Sequence, residues 1–370
     1  MVRASHHRCA VFRALATGLM FAGAIVGARR AAGQSPATAG AGRKAEEQYK
    51  NIQVLKGIPA DQIPATMRLV AASLGVQCSF CHVQGANDKD DKPEKQTARR
   101  MMAMVLDMNK GHFNGRTAIT CNTCHRGSPA PVGTPAPEDM GRPAQRGSVP
   151  EGVTAELLLE KYLQTMGGEE AVSRITSVVA KGTLESAANP PSPLEIYVKF
   201  PDKRLVVSHV QGDDSSEATA GAAGWTSSAA RGLRDMTAAD NEAIKLEDPL
   251  YLVANVKKIY TQWRVGRSEK VGDRDAYVLN GTAPGHLPIR LHLDQQTGEL
   301  LRLTHFTETP LGRLPTQLSF GDYRAVGNVK LPFRIAAIRP TTRNTIQLEQ
   351  VQVNVPLEDS LFAKPASPAR

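Results

Sequence analysis

Aromatic residues are scarce in this chain, 5% of the total with only two tryptophans, so its core must be mainly aliphatic. Cysteine is scarcer still. Five among 370 residues are too few for a disulfide-stapled scaffold, which suggests a more particular use for them. The one extended apolar run, at 14–28, falls short of the ~20 residues that a membrane-spanning helix needs. No Ser-His-Asp pattern, phosphate-cradling glycine loop or zinc-hydrolase motif is present, which argues against the hydrolases and nucleotide enzymes built on them. The formal charge of +9 drops to +4 without Arg3, Arg8, Arg13, Arg29 and Arg30, so no nucleic-acid partner is implied.

Those five arginines flank the apolar run, and small residues follow at Ala31, Ala32 and Gly33. This is the layout of a secretory signal over 1–33, and the expected location is the periplasm. The length favours two folded units beyond the signal. In the first, 34–130, helices are predicted at 43–55, over the Ile63, Met67, Val70 and Leu74 repeat that ends at Gly75, and at 95–109, where Met101, Met104, Val105 and Met108 share a face. A proline-rich stretch without apolar period marks a linker over 131–152. In the second unit, 153–365, helices at 153–166 and 169–175 precede alternating, β-branched runs between 177 and 354 that read as strands. The expected fold class is α+β multidomain: a mostly α-helical N-terminal domain, then an antiparallel, half-barrel-like sheet with helices.

Four of the five cysteines stand in Cys78-Ser79-Phe80-Cys81-His82 and Cys121-Asn122-Thr123-Cys124-His125, two copies of C-x-x-C-H. The spacing is that of c-type haem attachment. Two thiols three positions apart reach the two vinyl groups of one porphyrin, and the next residue lies under the iron as an axial imidazole. Two covalently bound haems c are therefore the expected cofactors, tethered by Cys78, Cys81, Cys121 and Cys124, with His82 and His125 on the iron. Two other readings compete. Paired zinc ligands usually lie within about 12 to 20 residues of each other, whereas these pairs are separated by 82–120. Two disulfides in an exported protein would make the histidine after each pair a coincidence. The sixth ligand decides whether iron binds substrate or only exchanges electrons. Met67 and Met101, on helices ahead of the motifs, are candidates for it or for plain core packing.

The stretch from Met67 through Leu74-Gly75-Val76 to Cys78 and His82, then Ala98-Arg99-Arg100-Met101-Met102, then Thr120-Cys121-Asn122-Thr123-Cys124-His125-Arg126-Gly127, resembles the photosynthetic reaction-centre cytochrome c subunit over about residues 45–130. The resemblance implies that a helix donates a methionine to each haem, pairing Met67 with His82 and Met101 with His125, with Met102, Met104 and Met108 as substitutes. His112 falls near a family histidine that serves another haem, but beside only two attachment motifs it reads as a surface residue. That family carries four haems, and here a sheet domain replaces the second pair. The resemblance thus implies a two-haem relative working in respiration or in another periplasmic electron-transfer chain.

The sheet domain resembles, more distantly, the half-barrel of outer-membrane lipoprotein carriers, through Leu293-Asp294 before Thr297-Gly298 and Asp322-Tyr323-Arg324 before Leu331-Pro332-Phe333. A half-barrel implies a concave face that takes an apolar ligand. Trp225 and Trp263 read as packing, and His209, His286, His292 and His305, which lack metal-ligand spacing, as structural. The expected function is one-electron transfer rather than catalysis, with redox proteins, including a membrane-bound electron-transfer complex, as partners. The rivals are a two-haem peroxidase, which needs an open iron, and a lipid- or quinone-binding protein with an attached cytochrome domain.

Overall fold

A computed structural model describes residues 43–133, 151–186, 189–210, 213–229, 232–339 and 342–366. The expected secretory signal and most of the expected linker lie outside the described residues. The helix expected at 43–55 is a single turn, α1 (Ala45–Gln48). The chain leaves it at Tyr49, and Asn51 takes a left-handed φ of 62°, which asparagine tolerates and a continuing helix does not. The next helix, α2 (Gln62–Leu74), ends at the expected Gly75, whose left-handed φ of 68° closes the last turn. Then α3 (Pro93–His112) begins with proline in its first turn, where the missing N–H costs nothing, and α4 (Cys121–His125) is the second cysteine motif itself.

The α2 helix buries Ile63, Ala65 and Leu69 in a cluster with Leu55 and Met102 on the cysteine-bearing segment and with Leu311 and Leu314 of the sheet. Each leucine fully buried there contributes about 1.5–3 kcal/mol. A short helical segment with few apolar residues is thus held against a larger partner.

From residue 151 the described chain continues with α5 (Ala155–Thr165), capped by the Thr154 hydroxyl that accepts from Leu157 N (3.2 Å), and α6 (Gly168–Ser173). The first meander follows: β1 (Ser177–Ser186), β2 (Ser192–Lys199), β3 (Lys203–Val210), β4 (Asp213–Ala220), β5 (Ala223–Ser227) and β6 (Arg234–Asp235). Two helices absent from the sequence expectation, α7 (Ala238–Leu246) and α8 (Pro249–Ile259), lead to the second meander. It comprises β7 (Gln262–Val265), β8 (Glu269–Val271), β9 (Arg274–Ala283), β10 (His286–Asp294), β11 (Leu300–Thr309), β12 (Gly312–Val326), β13 (Val329–Arg339) and β14 (Thr342–Val353).

All strands pair antiparallel in one open fourteen-stranded sheet of order β6-β5-β4-β3-β2-β1-β14-β13-β12-β11-β10-β9-β7, with β8 added on β9. The two meanders are joined where β1 pairs with β14, Val178 opposite Val353. The main core sets Tyr162 and Met166 of the α5 region and Leu252 and Val256 of α8 against Leu279, Leu291 and Leu303 of the sheet. This is the α+β architecture expected: a helical N-terminal region followed by an antiparallel sheet with helices.

Candidate functional site

Cys78 to Phe80 form one tight 3-10 turn, in which Cys81 N and His82 N both donate to the Cys78 carbonyl (3.3 and 3.0 Å). The turn folds the two thiols and the imidazole onto one short stretch. The His82 Nδ1–H donates to the Asn87 carbonyl (3.1 Å). A carbonyl can only accept, so the hydrogen sits on Nδ1 and the Nε2 lone pair is left for a metal. The loop carrying Asn87 is tied down by two buried cations of α3. Lys95 Nζ donates to the carbonyls of Asn87 (2.9 Å) and Lys89 (2.6 Å), and Lys95 and Arg99 both pair with Asp90 (2.9 and 2.8 Å). Hydrogen bonds from Arg99, Lys95 and Asn51 hold the Asp90 carboxyl well below the ordinary carboxylate range.

The second motif is built differently and reaches the same local result. Thr120 N donates to Thr123 Oγ1 (3.0 Å), starting α4 just before Cys121, and Arg126 turns out of the helix at a left-handed φ of 50°. The His125 Nδ1–H donates to the Ser128 carbonyl (2.9 Å), again leaving Nε2 with its lone pair. The segment leading into Cys121 is held by a neutral amide: Asn109 Oδ1 accepts from Ala118 N and Ile119 N (3.0 and 2.9 Å), and Nδ2 donates to the Ile119 carbonyl (2.7 Å). The motifs also meet through α2. Gly127 N donates to the Ser73 carbonyl (2.8 Å), and Gly75 lies so near the Gly127 carbonyl that a Cβ would collide with it.

Cys78, Cys81, Cys121 and Cys124 are all free thiols. Among the described residues no group of three or more His, Cys, Asp or Glu side chains is placed to hold a metal ion, as a shared zinc would require. Burial pushes the Cys81 and Cys121 thiols up, so neither is a pre-ionised nucleophile.

Of the six large apolar side chains exposed among the described residues, Phe80, Met101, Met104 and Val132 belong to the cysteine-bearing segment. That segment therefore carries apolar surface with no protein cover, as a porphyrin-binding segment does before its ring is in place. Met67 is half-buried beside the α2 cluster, and Met101 is exposed on α3, while the substitute Met102 is committed to the core.

The four histidines of the sheet region each take one carboxylate partner: His209 with Asp214 (2.6 Å), His286 with Glu242 (2.8 Å), His292 with Glu269 (3.0 Å) and His305 with Glu247 (3.1 Å). His112 is exposed at the end of α3. Trp225 is buried with its Nε1–H donated to the Phe362 carbonyl (3.2 Å), and Trp263 packs edge-on against Tyr260. Both tryptophans fill core. One face of the sheet opens into a cavity of about 1020 Å³, whose walls include Val178, Ile196, Val206, Leu318, Ile335 and Ile346. Lining residues alternate along a strand, as in Leu194, Ile196 and Val198 of β2 and Leu314, Thr316 and Leu318 of β12, as residues on one sheet face must. Among the polar groups in its lining is Glu247, gripped through both oxygens by Arg339 (2.9 and 2.8 Å). Burial pushes its carboxyl up, but the His305 hydrogen bond and the Arg339 charge outweigh this and hold it below its ordinary value. Sequence reasoning gave no hint of this cluster, whose members are far apart along the chain.

Comparison with known proteins places the cysteine-bearing segment. Residues 23–150 match the family described as photosynthetic reaction centre cytochrome C subunit. The chain is 40% identical over 101 residues to the photosynthetic reaction center cytochrome c subunit of Thermochromatium tepidum, covering 26% of this chain and 25% of that one. It is 34% identical over 99 residues to cytochrome c-554 of Chloroflexus aurantiacus, covering 24% of each. The chain thus spans about a quarter of the length of the curated relatives it matches. Among solved structures, a DUF1329 family protein from Desulfovibrio piger is similar at a TM-score of 0.40 and 14% identity, covering 56% of this chain and 96% of that one. A LolA superfamily protein from Nitrosomonas europaea is similar at 0.39 and 15%, covering 57% and 98%.

Proposed function

We propose that residues 34–130, related in sequence to the reaction-centre cytochrome c subunits, form a two-haem c-type cytochrome region of an exported protein that passes single electrons between redox partner proteins. The observation that carries this reading is the pair of histidine–carbonyl bonds, His82 to Asn87 and His125 to Ser128. Each fixes the ring tautomer so that Nε2 keeps its lone pair, immediately after two free thiols. Cys78 and Cys81 tether one ring, and Cys121 and Cys124 the other. His82 and His125 would hold the iron through Nε2, and Met67 and Met101 would offer it their thioether sulfurs. Bound there, haem c supplies reversible one-electron chemistry at iron. Bound through both methionines, the irons would offer no open site to an external ligand, which favours a carrier over a peroxidase.

Absorption spectra of the oxidised and reduced protein, with a pyridine assay for haem per chain, test the reading. Two haems per chain, both low-spin, are expected. A chain without covalent haem, or with one, refutes the two-haem reading, and high-spin iron at either site would favour the peroxidase.

The cavity on the sheet favours a second reading, in which an apolar molecule is carried there. Its volume of about 1020 Å³ matches the upper range of ligand pockets, and its walls combine aliphatic side chains such as Ile196, Leu318 and Ile346 with polar and charged ones. An apolar molecule should be recoverable by organic extraction of the purified chain and be lost when Ile196→Trp fills the space. No extractable molecule, and no saturable uptake of a fluorescent fatty acid by the folded protein, refutes it.

A further inference from the structure

The two histidine–carbonyl bonds look alike, but their surroundings differ in charge. The Asn87 carbonyl that accepts from His82 also accepts from Lys95 Nζ (2.9 Å). Lys95 is almost wholly buried, a rare state for lysine unless it is paired, and its ammonium donates to the carbonyls of Asn87 and Lys89 and is ion-paired with Asp90. Lys92 Nζ grips the first attachment motif itself, at the Ser79 carbonyl. At the second site the Ser128 carbonyl accepts from His125 with no cation among its described partners, and the nearby grip is the neutral Asn109 amide. Asp88 and Asp91 near the first site, and Lys110, Arg116 and Arg126 near the second, are exposed and screened by solvent.

We infer that Lys95 is a positioning residue that raises the reduction potential of the first haem above that of the second, acting through the Asn87 carbonyl that His82 and Lys95 share. The inference rests on the two-haem reading above. A carbonyl offers two lone pairs, and a cation on one draws electron density from the oxygen and weakens it as an acceptor on the other. The His82 Nδ1–H is then held by a poorer acceptor, the ring has less imidazolate character, and its Nε2 is a weaker donor to metal. Weaker donation and a buried positive charge both favour the less positive, reduced state of the site. His125, held by an unshared carbonyl, has neither influence.

The test is a spectroelectrochemical titration of the full-length, haem-loaded chain. Two waves are expected, and a chain carrying Cys121→Ala with Cys124→Ala should keep only the higher one. Lys95→Met should lower the reduction constant of the first site about tenfold, a downward shift of about 59 mV for one electron, and leave the second in place. Lys95→Arg should restore most of the potential. Asp90→Asn loosens the same clamp but removes an anion, so it should move the first site upward. A purely structural role for the clamp would move Lys95→Met and Asp90→Asn in the same direction, and that result overturns the inference. So does a lower potential at the first site, or equal shifts at both. A pyridine assay returning fewer than two haems overturns the two-haem reading as well, whereas two haems in the reverse order overturn only the inference.

Discussion

Asn109 offers the sharpest test of how the second attachment site is organised. Its side chain is nearly buried and makes three hydrogen bonds to the backbone at 118 and 119, immediately ahead of Cys121. Leucine has a similar shape but neither donor nor acceptor. Asn109→Leu therefore leaves the N–H and the carbonyl of Ile119 without their partner, while Ala118 N keeps its bond to the Arg116 carbonyl (2.8 Å). Each lost bond is worth about 0.5–1.5 kcal/mol net, and an orphaned buried group about 1–3. Ala118 is exposed and water can replace its bond, while Ile119 is half-buried and loses two. The sum is roughly 2–4 kcal/mol. Asn109→Asp keeps both acceptor bonds and sets a carboxylate against the Ile119 carbonyl, so it should fall between wild type and Asn109→Leu. Denaturant unfolding followed by circular dichroism measures the loss, and limited proteolysis at 113–120 reports the loop. A loss below about 1 kcal/mol for Asn109→Leu, with an unchanged cleavage rate, refutes the claim that this amide orders the segment.

Met67→Ala and Met101→Ala should each open one iron to imidazole or carbon monoxide and lower its potential; an unchanged spectrum in either variant removes that methionine from the ligand set. Gly75→Ala should cost more than the about 1–2 kcal/mol of left-handed backbone alone, because its Cβ meets the Gly127 carbonyl, whereas Gly57→Ala, at φ 81° with open space around it, should cost only that backbone share. Equal melting-temperature losses in the two variants would count against the contact. Burial holds the His292 ring below its ordinary 6.5 despite the Glu269 bond. The unfolded chain therefore binds the proton first as pH falls, so this contribution to stability is complete above pH 6.5 and is lost progressively below it. His292→Gln should flatten that part of the stability–pH curve, and an unaltered slope between neutral and mildly acid pH would refute the assignment.

The candidate site was legible because covalent attachment demands neighbours in sequence: two thiols and a histidine within five positions need no knowledge of the fold. The end of α2 was legible for a similar reason, since Gly75 is a local backbone solution. The α7 and α8 helices were not read, though their signals were present. Thr237 accepts from Asp240 N (3.0 Å), and Asp248 caps a helix whose first residue is Pro249. The apolar run at 250–256 has no clear period. The Lys95 contact with Asn87, the Asn109 grip and the Glu247 cluster could not be read at all. Each depends on where a backbone carbonyl or a distant strand arrives, and side-chain pattern does not encode that.

The turn between β11 and β12 shows how stretches of unlike composition become one structure. Thr309 Oγ1 donates to the Gly312 carbonyl (2.6 Å) and closes the turn, and Leu311 and Leu314 on either side of Gly312 enter the cluster with Leu69 of α2. A Cβ at Gly312 would lie 2.9 Å from Thr120 and 3.4 Å from Leu69, so this point of the sheet is wedged between the helix that carries Met67 and the residue before Cys121. Leu314 also lines the sheet cavity. One hairpin thus touches the first candidate ligand helix, the second attachment motif and the cavity wall. The α2 helix and the second motif already meet through Ser73 and Gly127, and the sheet hairpin adds a second wall against Leu69 and Thr120, so a displacement of that turn should be felt at both candidate haem sites and in the cavity together.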